Sequence, residues 1–216
     1  MLSNSKITTP DQALAELIQG NKKYNSFLNF IAKAKRKSVA TIQRPFAIVL
    51  NCSDSRVPTE IVFNQLDVGS LFTVRNAGNV ADGVALGSIE FGVESLGALL
   101  IIVLGHERCG AVEATISSII KHSPEQSGHI KDIINAITPA AHNVLHKNNI
   151  DESQHENLKG HSKTEIINDT VKENVRLVIE NLYNNSKIIS QALDTNKIKI
   201  VGAYYDLDNG NIKIIT

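Results

Sequence analysis

Three short apolar runs that do not alternate with polar residues constrain the fold more than any other feature of the sequence. They lie at residues 46–50, 71–74 and 99–104. A strand with one solvated face alternates apolar and polar residues, whereas a strand that is covered on both faces forms a continuous apolar run. The three runs therefore predict a parallel β-sheet with helices on both sides.

Apolar residues at helical spacing lie between the second and third runs, at positions 84, 86, 89, 93 and 96 of the segment 81–97. The order strand, helix, strand predicts a right-handed βαβ crossover. Further helices are predicted at 111–120, at 130–146 with an interruption near Pro139, and at 164–183. The turn sequence Asp208-Asn209-Gly210 predicts a C-terminal β-hairpin. The predicted fold class is α/β, with a mostly parallel central sheet flanked by helices.

The rest of the chain indicates one domain over residues 1–216, which is long enough to bury a substantial core. Residues 1–41 are predicted to form an N-terminal helical arm, whose first helix starts at Thr9-Pro10 and stops near Gly20. The polar segment 147–163 is predicted to be an exposed loop. We find no internal repeat and no linker.

Charge and cysteine content limit the partners and the compartment. Basic and acidic residues both number 22, so the net charge is zero and the sequence predicts neither nucleic-acid nor membrane binding. No apolar run approaches the 18 or so residues of a membrane span, and no secretory leader is evident. Two cysteines are too few for a disulfide framework, which favours a reducing, cytoplasmic location.

Both cysteines follow a predicted buried strand: Cys52 follows the first run, and Cys109 follows the third, three residues after His106. Loops at the carboxyl ends of parallel strands meet in one crevice, so these three side chains are expected to converge. Two cysteines and a histidine are a known ligand set for catalytic zinc. The alternative is a packed cysteine beside a histidine that caps a helix.

Asp54 and Arg56 follow Cys52 at alternate positions. In an extended backbone, such positions point the same way, so all three side chains are predicted to face one site. A carboxylate held by the arginine could accept a hydrogen bond from water at the metal and orient that water. We therefore interpret Asp54 and Arg56 as a catalytic pair.

The segments Cys-Ser-Asp-Ser-Arg-Val at 52–57 and His-Glu-Arg-Cys-Gly at 106–110 together resemble the paired signature of the β-class carbonic anhydrases. The resemblance extends to 20–24, 74–79, 87–93 and 201–206, and so spans nearly the whole chain. It implies reversible hydration of CO₂ to bicarbonate and a proton by zinc-bound hydroxide. It also implies that the zinc ligands are Cys52, His106 and Cys109, and that the catalytic dyad is Asp54 with Arg56.

The resemblance also implies substrate contacts. Gln43 matches a glutamine that binds substrate in the plant-like branch of the family, and the backbone N–H of Gly110 matches another contact. Phe72, Ala77 and Phe91 fall at positions that line the apolar CO₂ pocket. Core packing is the alternative role for the two phenylalanines.

The bicarbonate-regulated branch of the family carries a tryptophan where this chain has Val49, although Arg75 and Tyr205 match the other two members of that site. The resemblance therefore implies the plant-like branch, with that regulatory site absent or weak. Asp54 is expected to face Arg56 near neutral pH and to become a fourth zinc ligand only in a closed form. The family is built on homodimers, and the residues leave open whether dimers pair into tetramers.

Three other functions are compatible with parts of this pattern. A cysteine-based phosphatase needs its arginine six residues after the thiol, whereas Arg56 is four after Cys52. Hydrolysis of COS or CS₂ would use the same zinc site with a different linear electrophile. A zinc-stabilised bicarbonate sensor or scaffold would leave Asp54 and Arg56 without an evident purpose.

Overall fold

The computed structural model describes residues 9–24, 34, 36–120, 128–150, 160 and 162–216. The chain divides into two compact units, Met1–Gln43 with Asp67–Gly69 and Arg44–Leu66 with Ser70–Thr216. The single-domain organisation stays a prediction. Among the described residues, no helix is a candidate for a membrane span.

The first unit contains helix α1, Pro10–Tyr24. The Thr9 hydroxyl accepts a hydrogen bond from the Gln12 N–H at 3.2 Å, and the Gln12 side chain accepts one from the Thr9 N–H at 3.2 Å. These reciprocal bonds form a capping box, and Pro10 suits the first turn because it has no N–H to satisfy. The predicted stop at Gly20 is wrong, because one interior glycine costs only about 1 kcal/mol and the basic residues of the last turn favour continuation.

The second unit is built on a five-stranded sheet in the order β2-β1-β3-β4-β5. The first four strands are parallel, and the last is antiparallel to its neighbour, so the predicted fold class and C-terminal hairpin are confirmed. The strands are β1 Ala47–Cys52, β2 Leu71–Asn76, β3 Leu100–His106, β4 Lys199–Tyr205 and β5 Ile212–Ile214.

Six described helices accompany the sheet in this unit. They are α2 Thr59–Val62, α3 Gly83–Glu94, α4 Gly110–Ile120, α5 Ile130–Lys147, α6 Lys163–Asn185 and α7 Lys187–Asp194. The predicted break near Pro139 is wrong, because α5 runs through it and buries Ile137, Ala140 and Ala141. Packing of that face outweighs the backbone hydrogen bond that proline removes. Helix α7 was not predicted, and most of the predicted loop at 147–163 lies outside the described residues.

Helix α6 packs against the central strand β3, and a glycine permits the close approach. A Cβ atom built on Gly105 would lie 2.6 Å from Val171 Cγ1 and 2.8 Å from Val175 Cγ2. No side chain can occupy that space without displacing the helix. Because Gly105 directly precedes His106, this contact holds α6 beside the carboxyl end of the sheet.

Candidate metal centre

The carboxyl ends of β1 and β3 bring three potential metal ligands together. Cys52 ends β1, His106 ends β3, and Cys109 directly precedes α4. The ligand atoms of the three side chains lie within 4.8 Å of one another, and the two sulfur atoms are 4.0 Å apart. All three residues are buried. The sequence prediction that they converge therefore matches their placement.

The histidine presents one ring nitrogen to the sulfur atoms. His106 Nδ1 lies 2.9 Å from the Glu107 carbonyl oxygen, so we assign the proton to Nδ1, which donates to that carbonyl. Nε2 then carries a lone pair, and it is buried without a hydrogen-bond partner among the described residues. A buried acceptor without a partner lowers the stability of the folded protein unless a cation binds it.

The pKa values of the two thiols are shifted in opposite directions. The pKa of Cys52 is lowered, chiefly because its sulfur accepts a hydrogen bond from the Cys109 thiol. The pKa of Cys109 is raised, because it is the donor in that bond and is buried beside the Cys52 thiolate. A metal ion that binds both sulfur atoms as thiolates would have to displace the proton between them.

The donor set fits zinc. Two thiolates and one imidazole are soft and intermediate ligands, which zinc prefers to carboxylate oxygens. Tetrahedral coordination with Zn–S bonds of about 2.3 Å requires two sulfur atoms about 3.8 Å apart, close to the separation of 4.0 Å seen here. The hydrogen bond from His106 Nδ1 to the backbone also orients the ring as metal-binding histidines require.

Asp54 and Arg56 form a two-bond ion pair at the edge of this cluster. Arg56 Nε donates to Asp54 Oδ1 at 2.9 Å, and Nη2 donates to Oδ2 at 2.7 Å. Hydrogen bonds from the Arg56 side chain lower the pKa of Asp54 to about 2, and their effect outweighs that of burial, which raises the pKa. Asp54 Oδ2 also lies 3.8 Å from His106 Nε2. A carboxylate that is ionised near neutral pH therefore borders the unpaired nitrogen.

Asp54 and Arg56 approach each other through a turn, so the predicted extended backbone at these residues is wrong. Strand β1 ends at Cys52, and the next residues form a turn in which the Val57 N–H donates to the Asp54 carbonyl at 3.0 Å. The Arg56 N–H also donates to Asp54 Oδ1 at 2.9 Å. A turn closed by the aspartate, rather than an extended segment, brings the pair together.

Sequence reasoning missed the side chains that hold this turn. Arg75 on β2 donates to the Cys52 carbonyl from Nε and Nη2, at 3.1 and 3.0 Å, and to the Asp54 carbonyl at 2.8 Å. From inside the sheet, Asn51 Nδ2 donates to the Val57 carbonyl at 3.0 Å, and Asn51 Oδ1 accepts from the Thr59 hydroxyl at 3.0 Å. An Asn adjoining the first cysteine was the available signal.

The turn before Cys109 is held in a similar way. Arg108 has a positive φ of 51°, a conformation that non-glycine residues adopt only with support. Its N–H donates to Asn168 on α6 at 2.9 Å, and its guanidinium forms two bonds with Asp208, at 2.9 and 2.6 Å. These contacts come from the helix and from the C-terminal hairpin, so no local sequence signal marks them.

The two phenylalanines predicted to contact substrate lie on β2 and α3. Phe72 and Phe91 are in contact, with ring centroids 6.2 Å apart, and Phe91 remains 49% exposed. Ala77 opens a 3₁₀ turn directly after β2, and Gly110 is the first residue of α4, next to Cys109. Gln43 belongs to the first unit, so its contact with substrate stays a prediction.

The chain thus combines a parallel α/β sheet with a buried Cys₂His group at its carboxyl edge that could hold a metal ion. The sequence matches the family model of carbonic anhydrase over residues 47–212. It is 36% identical over 180 residues to the carbonic anhydrase of Mycolicibacterium smegmatis, covering 83% of this chain and 79% of that protein. It is 31% identical over 183 residues to that of Pseudomonas aeruginosa, covering 82% and 76%.

Solved structures show the same fold. The β-carbonic anhydrase CcaA superposes with a TM-score of 0.80 at 24% identity, covering 94% of this chain and 95% of that one. One of two tetrameric β-carbonic anhydrases from Sordaria macrospora gives a TM-score of 0.80 at 19% identity, covering 94% and 96%. The chain belongs to the β-class carbonic anhydrases, and it is a lyase that hydrates CO₂.

Proposed function

We propose that the protein catalyses reversible, zinc-dependent hydration of CO₂ to bicarbonate and a proton, with Zn²⁺ held by Cys52, His106 and Cys109. The observation that carries the proposal is the buried Nε2 of His106, which has no hydrogen-bond partner in the described part of the chain and lies beside two sulfur atoms 4.0 Å apart. A bound dication would satisfy that nitrogen and would bind both sulfur atoms as thiolates, with release of their protons. When bound, Zn²⁺ would act as a Lewis acid and lower the pKa of water enough for the water to serve as a nucleophile near neutral pH.

Asp54 and Arg56 are proposed as the catalytic dyad. The Asp54 carboxylate borders the ligand cluster, and with a pKa of about 2 it is a hydrogen-bond acceptor, not a proton donor, near neutral pH. It would accept a hydrogen bond from the reacting water and direct a lone pair of that water toward CO₂. The two side-chain bonds from Arg56 hold the carboxylate in this open arrangement, and a closed form with Asp54 on the metal would compete with them.

The substrate site is proposed to combine an apolar pocket with a few polar contacts. Phe72, Ala77 and Phe91 would line the pocket for CO₂, which has no net dipole and is poorly held by polar surfaces. The partly exposed, mutually contacting rings of Phe72 and Phe91 support this assignment. Gln43 and the N–H of Gly110 would bind the oxygen atoms of CO₂ and bicarbonate.

We also propose that the protein is a homodimer and that it belongs to the plant-like branch of the family. Exposed apolar side chains in the second unit, among them Ile61, Val84 and Leu99, would be covered by a second copy. One similar structure is described as tetrameric, so pairing of dimers is a further outcome to measure. The absence of tryptophan supports the branch, and the two free thiols support a reducing, cytoplasmic location.

Stopped-flow CO₂ hydration with zinc analysis tests the proposal. Asp54→Asn should retain one zinc per chain and lose at least tenfold in kcat/KM, because the neutral amide neither accepts as strongly nor pairs with Arg56. Asp169→Asn, which breaks an exposed ion pair with Lys172, is the matched control and should keep full activity. Cys109→Ser should lose the metal. Full activity in Asp54→Asn would refute the dyad, and a fully active zinc-free protein would refute the metal centre.

A further inference from the structure

The sulfur of Cys52 accepts a hydrogen bond from the protein backbone. The Gly78 N–H points at Cys52 Sγ, with a nitrogen–sulfur distance of 3.3 Å. A thiolate that accepts an N–H bond donates less electron density to a metal than a bare thiolate, so this bond affects the strength of the metal as a Lewis acid. The effect matters in a site where two thiolates already offset the charge of a dication.

Gly78 has a backbone conformation that only glycine can adopt at this position. It lies in the 3₁₀ turn Ala77–Asn79 with φ 75° and ψ 15°, the left-handed region that favours glycine. A Cβ atom built on it would lie 2.5 Å from Ile137 Cδ1 and 3.3 Å from Ala111 Cβ. Helices α4 and α5 therefore press on this residue closely, and only glycine fits.

A buried amide on another helix holds the carbonyl of Gly78. Asn174 lies on α6, is only 3% exposed, and donates from Nδ2 to the Gly78 oxygen at 3.0 Å. The two residues are 96 positions apart in the sequence. Because α6 packs on β3 through Gly105, Asn174 connects the turn to the rigid sheet that carries His106.

We propose that Asn174 is a positioning residue for the metal centre: it fixes the Gly78 turn so that the Gly78 N–H stays aimed at the Cys52 sulfur. This sets the electron-donor strength of the Cys52 thiolate. The inference rests on the proposed metal centre and adds a residue that does not touch the metal ligands itself. Without the Asn174 amide, the Gly78 carbonyl lacks this buried donor and the turn can rotate away from the sulfur.

Cobalt substitution measures thiolate donor strength directly. We would replace zinc by Co²⁺ and record the sulfur-to-cobalt charge-transfer band in the near ultraviolet. Asn174→Leu should shift this band to longer wavelength, because a thiolate without its N–H bond is a stronger electron donor. Competition with a chelator should nevertheless show at least a tenfold loss of Zn²⁺ affinity, because the sulfur is no longer held in place and a thiolate without its N–H bond also binds a proton more strongly. Asn174→Ser, which is too short to reach the carbonyl, should give the same two changes if the leucine variant does not fold.

Asn181→Leu is the matched control. Asn181 lies two turns further along α6 and donates to the Ala81 carbonyl at 2.9 Å, so its loss removes the same kind of bond away from Gly78. The control should leave the Co²⁺ band and Zn²⁺ affinity at their wild-type values. If the Asn174 variants match Asn181→Leu in both measurements, the positioning role is overturned while the metal centre stands. If wild-type protein shows no sulfur-to-cobalt band, the metal centre and this inference both fail.

Discussion

Replacement of Thr59 by valine should destabilise the protein through a single lost hydrogen bond. Thr59 is completely buried, and its hydroxyl donates to Asn51 Oδ1 at 3.0 Å. Valine has nearly the same shape, so the substitution leaves little cavity and mainly removes the donor. A buried acceptor left without its donor costs about 1–3 kcal/mol. For a domain of this size, that corresponds to a fall in Tm of about 2–12 °C.

The chain provides a control for this prediction at a second buried threonine. Thr170 is also completely buried, but its hydroxyl has no hydrogen-bond partner among the described residues. Removing an unsatisfied buried hydroxyl relieves a cost, so Thr170→Val should leave the free energy of unfolding unchanged or raise it by up to about 1–3 kcal/mol. Equilibrium urea unfolding of both variants at equal zinc content gives the two values. Changes of the same sign and size would refute the hydrogen-bond argument.

Two further predictions concern packing and pH. Gly105→Ala should lower the free energy of unfolding by about 1–3 kcal/mol, because its Cβ would collide with Val171 and Val175. Gly87 lies in the interior of α3 with no atom near an added Cβ, so Gly87→Ala should raise that free energy by about 0.5–1 kcal/mol. Thermal unfolding of both variants measures the two effects, and Tm shifts of the same sign would contradict the prediction. The pKa of Glu173 in the folded protein is lowered, chiefly by the hydrogen bonds from Arg176. The ionised Glu173 therefore stabilises the fold above the pKa of the unfolded chain, about 4.3, and this stabilisation is lost as the pH falls through the lower pKa of the folded protein. Wild type should therefore lose more stability than Glu173→Gln between about pH 5 and about pH 3 in acid titrations of urea unfolding, and equal losses would show that the ion pair contributes nothing.

The sheet and the ligand cluster could be predicted because both depend on local patterns. Each apolar run became a parallel strand within two residues of the predicted ends, and parallel strands necessarily bring Cys52 and His106 to the same edge. Helix α7 had a signal that we did not use, since the Ser186 side chain caps it and apolar residues follow at helical spacing.

The geometry around the cluster could not be predicted, because it depends on contacts between distant segments. Arg75 holds a turn more than 20 positions earlier in the sequence, and Asn174 holds one 96 positions earlier. An aspartate two residues before an arginine fits both an extended segment and a turn, and the hydrogen bonds from the Val57 and Arg56 N–H groups to Asp54 identify the turn. Tertiary packing likewise keeps α5 continuous through Pro139 against the local preference.

The most direct test of the metal centre is X-ray diffraction from crystals of the active, zinc-containing protein, collected just above and just below the zinc absorption edge. We predict one anomalous peak per chain that is present only above the edge, within about 2.3 Å of Cys52 Sγ and Cys109 Sγ and about 2.0–2.1 Å of His106 Nε2. A zinc peak elsewhere in the chain, or no peak between these three atoms in fully active protein, would contradict the account.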